Sequence, residues 1–273
     1  YDPMTIDGDP SKSDYRVGEL ELRPGVDSNR LGERIALQHE LNQRATTGSL
    51  AFDAHGANLQ RAYRLLTSAS QERAAFDLEQ EPAKLRERYG NNPHGQSVLQ
   101  ARRLVERGVP LVTVFWPNDG IKNVSVYWDT HSRNFINLKE RLMPVADQAF
   151  SALLDDLEAR GMLDETLVIW TGEFGRTPRI GQRNSDAGAG RDGRDHWPGC
   201  FTSVLAGGGI RGGAVYGRSD RHAAYPASDP VLPIDLISTV YHALGVPPDT
   251  TVEDTGTRPH FVRPGTILHD ILI

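Results

Sequence analysis

Hydrophobic residues change their spacing along the chain, from a helical repeat in the first third to a mixture of repeats afterwards. Residues 1–29 are rich in Asp, Gly, Pro and Ser, a composition that predicts an extended lead-in. Over residues 30–94, beginning at Leu31, apolar residues recur at helical spacing, which predicts a helical section that includes a helix over 50–69. This section contains no cluster of residues with obvious chemistry, so we expect it to serve as scaffold.

Over residues 95–246, runs typical of strands alternate with helical repeats. The runs rich in β-branched residues cover 111–115, 166–171 and 201–206, and the continuous run at 111–115 predicts a strand covered on both faces. The helical repeats cover 96–107, 138–157 and 234–244. Pro144 lies inside the second repeat and is expected to kink it. This alternation predicts an α/β core with a mainly parallel central sheet, followed by a tail over 247–273, and we expect 1–273 to form one domain.

Composition and charge exclude several classes of protein. The 273 residues include 30 Lys and Arg against 36 Asp and Glu, for a formal charge of −6 without a basic run, which argues against a nucleic-acid binder. Apolar runs such as 201–206 fall far below the ~20 residues that span a bilayer, so no membrane span is expected. Cys200 is the sole cysteine of the sequence, which excludes an intramolecular disulfide and a cysteine-based zinc cluster.

Three polar clusters near the ends of predicted strands supply the candidate chemistry. The clusters are Asp129 with His131, Glu173 with Arg176, and Asp195 with His196. Ligands of open α/β sheets collect at the carboxyl ends of the strands, so we expect these clusters to share one site. Carboxylates and imidazoles are ligands of zinc, manganese and similar divalent ions, and a guanidinium matches phosphate or sulfate. The clusters therefore predict a metal centre whose ligands are the carboxylates and imidazoles, with Arg176 as a catalytic clamp on an oxyanion.

Each cluster also has a purely structural interpretation. Asp129 is placed to cap the helix that follows it, and Glu173 can form a salt bridge with Arg176 inside their loop. The third cluster can belong to a packed turn. Trp128 and Trp197 can shape the mouth of a pocket or pack as core aromatics. Three such clusters after successive strands favour a site, because a chance coincidence of all three is rare.

Longer motifs at the same positions resemble a known family. These motifs are WDTH (128–131), GEFGRTP (172–178), GRDHWP (193–198) and AGGGIRGG (206–213), joined by YDP (1–3) and ARRLVE (101–106). They resemble the bacterial domain-of-unknown-function 1501 family, which is sulfatase-like and belongs to the alkaline phosphatase superfamily. The resemblance covers essentially the whole chain. It implies an alkaline phosphatase-like three-layer sandwich with a mainly parallel central sheet, plus a helical N-terminal section.

The resemblance also implies which residues bind metal. Asp129, His131 and the later His196 resemble the ligands of a first ion. Glu173 stands in place of an Asp that binds a second ion, whereas Phe174 occupies the position of that ion's His. This departure argues against a second ion, or implies a single hard ion such as calcium, as in sulfatases. For the site as a whole, zinc, calcium and manganese are the candidate metals.

The activity implied by the resemblance is metal-dependent hydrolysis of sulfate or phosphate esters of a small molecule or a carbohydrate, by a bacterial protein exported to the periplasm. The family's amino-terminal portion has no counterpart here, so its export signal, first strand and nucleophile are expected upstream of Tyr1. The competing hypothesis is a non-catalytic binding protein on a degenerate scaffold, which Phe174 favours. The metal hypothesis requires the imidazoles of His131 and His196 to lie within about 10 Å of each other, since ligand bonds are ~2 Å long.

Overall fold

The computed structural model describes residues 4–18, 25–44, 73–117 and 127–273. The helix predicted over 50–69 lies outside these residues. The chain divides into two compact units, Tyr1–Phe115 and Trp116–Ile273, which are described in turn. The single domain predicted over 1–273, with its divisions at residues 29, 94 and 246, stays a prediction.

Helices are the regular secondary structure of the first unit over the part that the structure describes. Its helices are α1 (Ser28–Arg44), α2 (Ala83–Tyr89) and α3 (Pro93–Glu106), with 3-10 turns at Arg73–Ala75 and Leu78–Gln80. Asn92 begins α3, because its side chain accepts a hydrogen bond from the Gly95 N–H at 2.9 Å and Pro93 follows at the first helical position. The helix predicted from the repeat at 96–107 is thus confirmed, with a start three residues earlier.

A buried ion cluster joins α3 to the 3-10 turns of the first unit. The Glu81 carboxylate lies 2.8 Å from Nη2 of Arg102, and it also accepts a hydrogen bond from Nη1 of Arg103. Arg103 in addition donates through Nε to the Ala75 carbonyl at 3.1 Å. Burial opposes ionisation of Glu81, but the two guanidinium groups outweigh it and hold the pKa of that carboxyl below its usual value.

The run at 111–115 differs from the buried strand expected there. These residues are extended, but none of them belongs to a strand pair among the described residues. Leu111 is 80% exposed and Phe115 is 82% exposed, so the prediction of a strand covered on both faces is wrong for this segment. A β-branched run specifies an extended backbone, but its burial depends on partners elsewhere in the fold.

Within residues 116–117 and 127–273, the part of the second unit that the structure describes, there are eight short strands and the remaining helices. The strands are β1 (Val168–Trp170), β2 (Gly175–Arg176), β3 (His196–Trp197), β4 (Val204–Ala206), β5 (Arg218–Ser219), β6 (Pro226–Ser228), β7 (Thr251–Glu253) and β8 (Pro259–Phe261). They form four two-stranded antiparallel sheets, β1–β4, β2–β3, β5–β6 and β7–β8. The strands predicted within 166–171 and 201–206 are confirmed as β1 and β4, and they pair antiparallel. The mainly parallel sheet of an alkaline phosphatase-like sandwich stays a prediction.

The helices of the second unit pack small and branched residues into its core. They are α4 (Asn134–Asn137), α5 (Met143–Ala159) and α6 (Pro233–Ala243). A π-helical turn over Leu138–Leu142 joins α4 to α5, whose second residue is Pro144. Proline has no N–H to donate, which favours such an irregular turn at this place in the predicted long helix. No helix among the described residues has the length and apolar character needed to cross a bilayer.

Candidate metal centre

The ribbon β2–β3 sets two of the candidate side chains side by side. In its antiparallel register, Arg176 lies opposite His196 and Gly175 lies opposite Trp197. Side chains of directly opposed residues project from the same face, so Arg176 and His196 point the same way. Gly175 allows this ribbon to form, because a Cβ at that position would meet the Cys200 carbonyl oxygen at 2.2 Å.

Backbone hydrogen bonds join the segment of Asp129 and His131 to the loop before β3. The Gly190 N–H donates to the His131 carbonyl at 2.8 Å, and the Asn134 N–H donates to the Asp192 carbonyl at 3.0 Å. The approach is so close that a Cβ on Gly193 would lie 1.7 Å from the His131 carbonyl oxygen. The glycines of the 179–194 loop therefore allow two distant segments to meet backbone to backbone.

Three donor atoms converge between these segments. Oδ1 of Asp129 lies 2.9 Å from Nε2 of His131 and 2.9 Å from Nε2 of His196. The two Nε2 atoms lie 3.1 Å apart, and the ring centroids are 4.8 Å apart, although the residues are 65 positions apart in sequence. The proximity required by the metal hypothesis is thus confirmed. These three side chains form a group that can hold a metal ion.

The protonation of His131 suits this group. Nδ1 of its ring lies 2.5 Å from the Gly188 carbonyl oxygen, and a carbonyl only accepts hydrogen bonds, so the ring proton is on Nδ1. In the neutral ring, Nε2 then presents a lone pair toward a carboxylate oxygen and a second imidazole. Such a cluster of lone pairs is favourable only around a cation or a shared proton. A backbone carbonyl that fixes the second nitrogen is the usual support for a metal-binding histidine.

Arg176 pairs with Asp129, whereas the salt bridge considered from the sequence joined it to Glu173. Nη2 of Arg176 donates to Oδ1 of Asp129 at 2.7 Å and to the Trp128 carbonyl at 2.9 Å. Burial opposes ionisation of Asp129, but Arg176 and His196 outweigh it and hold the pKa of that carboxyl below its usual value. Nη1 of Arg176 is buried and has no hydrogen-bond partner among the residues that the structure describes. A fixed guanidinium with one unpartnered nitrogen is suited to an oxyanion.

Asp195 lies behind the three donors, outside the group that can hold a metal. Its side chain is fully buried, and it accepts hydrogen bonds from the Ser185 hydroxyl at 2.6 Å and the His196 N–H at 2.8 Å. The N–H groups of Asn184 and Ser185 donate to its other oxygen, each at 2.7 Å. Burial opposes its ionisation, but these four hydrogen bonds outweigh it and hold the pKa of the Asp195 carboxyl far below its usual value. Asp195 thus positions His196 and the loop.

Glu173 and Phe174 do not join the donors. Glu173 is exposed, and its carboxylate makes no hydrogen bond or ion pair with the part of the chain that the structure describes. The ring of Phe174 packs against the imidazole of His196, with centroids 4.5 Å apart. The benzyl group offers no ligand atom at the place where the resemblance implies a second ion's His, so its contribution is to hold the His196 ring.

The two tryptophans next to the clusters differ in their surroundings. Trp128 packs edge-on against Trp116 at 5.4 Å and Trp170 at 6.1 Å, as a core aromatic does. Trp197 follows His196 on β3, so its side chain leaves the ribbon on the opposite face. There it lines a groove of about 500 Å³. This groove lies outside the candidate metal centre, so a role for either tryptophan at the mouth of that centre stays a prediction.

Sequence reasoning missed two parts of the site. The Gly188 carbonyl leaves no signal in sequence, because every residue carries one. Ser185, whose hydroxyl and N–H both bind Asp195, lies in a loop rich in small polar residues where nothing distinguishes it from its neighbours.

The fold and the site define a protein of two compact units with a candidate metal centre of two imidazoles and one carboxylate. The chain belongs to the domain-of-unknown-function 1501 family, whose model, described as "Protein of unknown function (DUF1501)", matches residues 1–272. No curated protein and no solved structure matches the chain.

Proposed function

We propose that the protein is a metal-dependent hydrolase of sulfate or phosphate esters, sulfatase-like and of the alkaline phosphatase superfamily. The observation that carries this proposal is the convergence of Asp129, His131 and His196 within 3.1 Å beside the guanidinium of Arg176. The arrangement combines a cation-binding donor set with a positively charged group suited to an anionic ester.

The donor set fits a divalent ion. Two ligands held at right angles on an ion at ~2.1 Å stand about 3 Å apart, which is the separation of the three donor atoms here. Asp129, His131 and His196 would hold the ion, and zinc, manganese and calcium remain candidates. A bound divalent ion supplies Lewis-acid polarisation of an ester oxygen and acidifies a bound water.

Arg176 contributes the anion-binding part of the site. One nitrogen, Nη2, is held by Asp129 and by the Trp128 carbonyl, which fixes the plane of the guanidinium. The side chain of Arg176 is 20% exposed, so its guanidinium can donate to an ester oxyanion, and such charge-assisted hydrogen bonds are about twice as strong as neutral ones. Asp129 is about half exposed, with 48% of its side-chain surface accessible, so an ester can reach the cluster.

The second candidate function is a non-catalytic binding protein on the same scaffold. Phe174 favours it, because its ring packs on His196 where the resemblance implies a ligand of a second ion. Location is a separate proposal: the family resemblance implies an exported bacterial protein, which fractionation of periplasm from cytoplasm tests directly.

Metal analysis and ester hydrolysis on the purified chain test the proposal together. We expect a stoichiometric divalent ion, lost in Asp129→Ala and His196→Ala and kept in His222→Ala, a histidine on the exposed loop that precedes β6. We expect hydrolysis of an aryl sulfate or an aryl phosphate that a chelator abolishes. Bound metal without hydrolysis of either ester would support the binding protein. A metal-free chain whose thermal stability does not respond to zinc, manganese or calcium would overturn the metal centre.

A further inference from the structure

A groove lies on the face of the β2–β3 ribbon opposite His196. Trp197 and Tyr225 form one wall, and a turn with Arg179, Ile180 and Gln182 forms the other. Its volume of about 500 Å³ falls within the range of ~300–1,000 Å³ that is usual for small-molecule sites. None of these residues belongs to the candidate metal centre.

Both walls are held in place before any ligand arrives. Nε1 of Trp197 donates to the Ala224 carbonyl at 2.6 Å, which fixes the indole next to Tyr225. On the other side, the buried Thr177 hydroxyl lies 3.3 Å from the Arg179 carbonyl and 3.4 Å from the Gln182 carbonyl. Ligand binding would therefore cost little conformational entropy, because both walls are already ordered.

The aromatic wall has the shape of a corner. The rings of Trp197 and Tyr225 are 5.5 Å apart between centroids and inclined by 62°, and Tyr225 is 56% exposed. A flat aromatic ligand needs a parallel slot to stack on both rings. A puckered sugar ring presents C–H groups on both of its faces and can contact two inclined rings, whose faces carry partial negative charge.

The opposite wall supplies donors for an anion. The side chains of Arg179 and Gln182 make no hydrogen bond or ion pair with any residue that the structure describes. Residues 176–194 contain five arginines against two aspartates, although the whole chain carries a formal charge of −6. A local positive field of this kind attracts carboxylate or sulfate groups, and the guanidinium fork matches both.

We propose that this groove binds an anionic sugar, a ring with a carboxylate or sulfate substituent, with the ring against Trp197 and Tyr225 and the anion on Arg179. The site is separate from the metal centre and does not depend on ester hydrolysis. It would anchor a carbohydrate to the protein through the β2–β3 ribbon, which also carries residues of the metal centre.

Saturation-transfer NMR on the full chain, with glucuronic acid, glucose 6-sulfate and glucose as probes, tests the proposal. We expect both anionic sugars to bind about tenfold more tightly than glucose, the effect of one hydrogen bond to a charged group. Arg179→Gln should remove that preference, and Tyr225→Ala should weaken all three probes. Arg191→Gln, an exposed arginine of the same loop outside the groove, is the matched control and should leave binding unchanged.

The variants of the metal centre separate this proposal from the proposed function. Binding that persists in Asp129→Ala and His196→Ala supports an independent groove, whether or not the protein hydrolyses esters. The groove is overturned if none of the probes binds, if Arg191→Gln weakens binding as much as Arg179→Gln, or if His196→Ala abolishes binding and Tyr225→Ala does not. If benzoate binds the groove more tightly than glucuronic acid, and Tyr225→Ala weakens that binding, the proposed ligand is overturned: the groove would bind a planar aromatic acid and not a sugar.

Discussion

Arg176 and His196 face each other across the β2–β3 ribbon and reach the same atom, Oδ1 of Asp129, at 2.7 and 2.9 Å. A carboxylate oxygen shared by a guanidinium and an imidazole is oriented from two sides. The ribbon thereby determines the position of Asp129, which lies in another segment of the chain. Substitutions can therefore test separately what each of the three side chains contributes.

Replacement of Arg176 by Gln should separate anion binding from metal binding. All three metal donors remain, whereas the unpartnered Nη1 and the positive charge are lost. We expect the metal content to be kept and the affinity for inorganic sulfate or phosphate, measured by calorimetry, to fall by about tenfold or more. Arg191→Gln is the control. Loss of the metal together with the anion would show that Arg176 serves only to hold Asp129.

Gly193→Ala should damage the metal centre through the backbone. The new Cβ would lie 1.7 Å from the His131 carbonyl oxygen, so the loop and the segment of His131 must separate. We expect a loss of stability of about 1–3 kcal/mol or more and weaker metal binding, measured by thermal unfolding and metal titration. Gly212→Ala is the matched control, because a Cβ there has no atom within 4 Å among the described residues. Equal effects of the two substitutions would contradict the close approach.

Glu81→Gln should destabilise the first unit. The substitution leaves the buried guanidinium groups of Arg102 and Arg103 facing a neutral amide, and breaking a buried ion pair typically costs about 3–5 kcal/mol. Chemical denaturation followed by amide exchange in α3 measures this loss. Glu79→Gln, an exposed position in the adjacent 3-10 turn, should change stability little. A loss below about 1 kcal/mol for Glu81→Gln would place the cluster among ordinary surface pairs.

The hairpin β7–β8 should loosen in acid. The Arg258 N–H and the side chains of His260 and Arg258 bind the Asp254 carboxylate and lower its pKa to about 2. Because this pKa is below the unfolded value of about 3.9, the stabilisation is present above pH ~4 and is lost as the pH falls toward 2.

Amide exchange of the hairpin residues between pH 5 and pH 2 measures this effect. Asp254→Asn should remove the pH dependence and leave the hairpin less protected at neutral pH. Asp249→Asn makes the same change of charge just before the hairpin and serves as its control. Protection in the native protein that does not change between pH 4 and 2 would contradict the assignment.

The three candidate metal donors can be found from sequence because their chemistry is carried by side chains. Asp129, His131 and His196 are carboxylate and imidazole groups near predicted strand ends and within family motifs, and the structure brings them together. Asp195 has the same side chain as a ligand, yet four hydrogen bonds turn it inward. Residue type alone does not show whether an aspartate faces the candidate metal centre or supports it from behind. The difference depends on which backbone N–H groups surround the carboxylate.

Strand pairing was harder to predict than helices. The repeat at 234–244 leads to α6 because helical bonds are local and the sequence period reports them. The ribbon β2–β3 has only two residues in each strand, too few for an alternation to appear, and its register depends on a loop of glycines and arginines. The antiparallel pairing of β1 with β4 is likewise set by contacts between residues that are distant in sequence.

The alternation of side chains along β3 constrains how the protein can diverge. The loop over 179–194 can gain or lose residues at its exposed positions, but insertion of a single amino acid between Asp195 and His196 would reverse the faces on which His196 and Trp197 project from the ribbon. Such a slip would carry the imidazole into the groove and the indole onto the side of the candidate metal centre. Descendants of this chain should therefore vary in loop length while the spacing within the ribbon stays invariant.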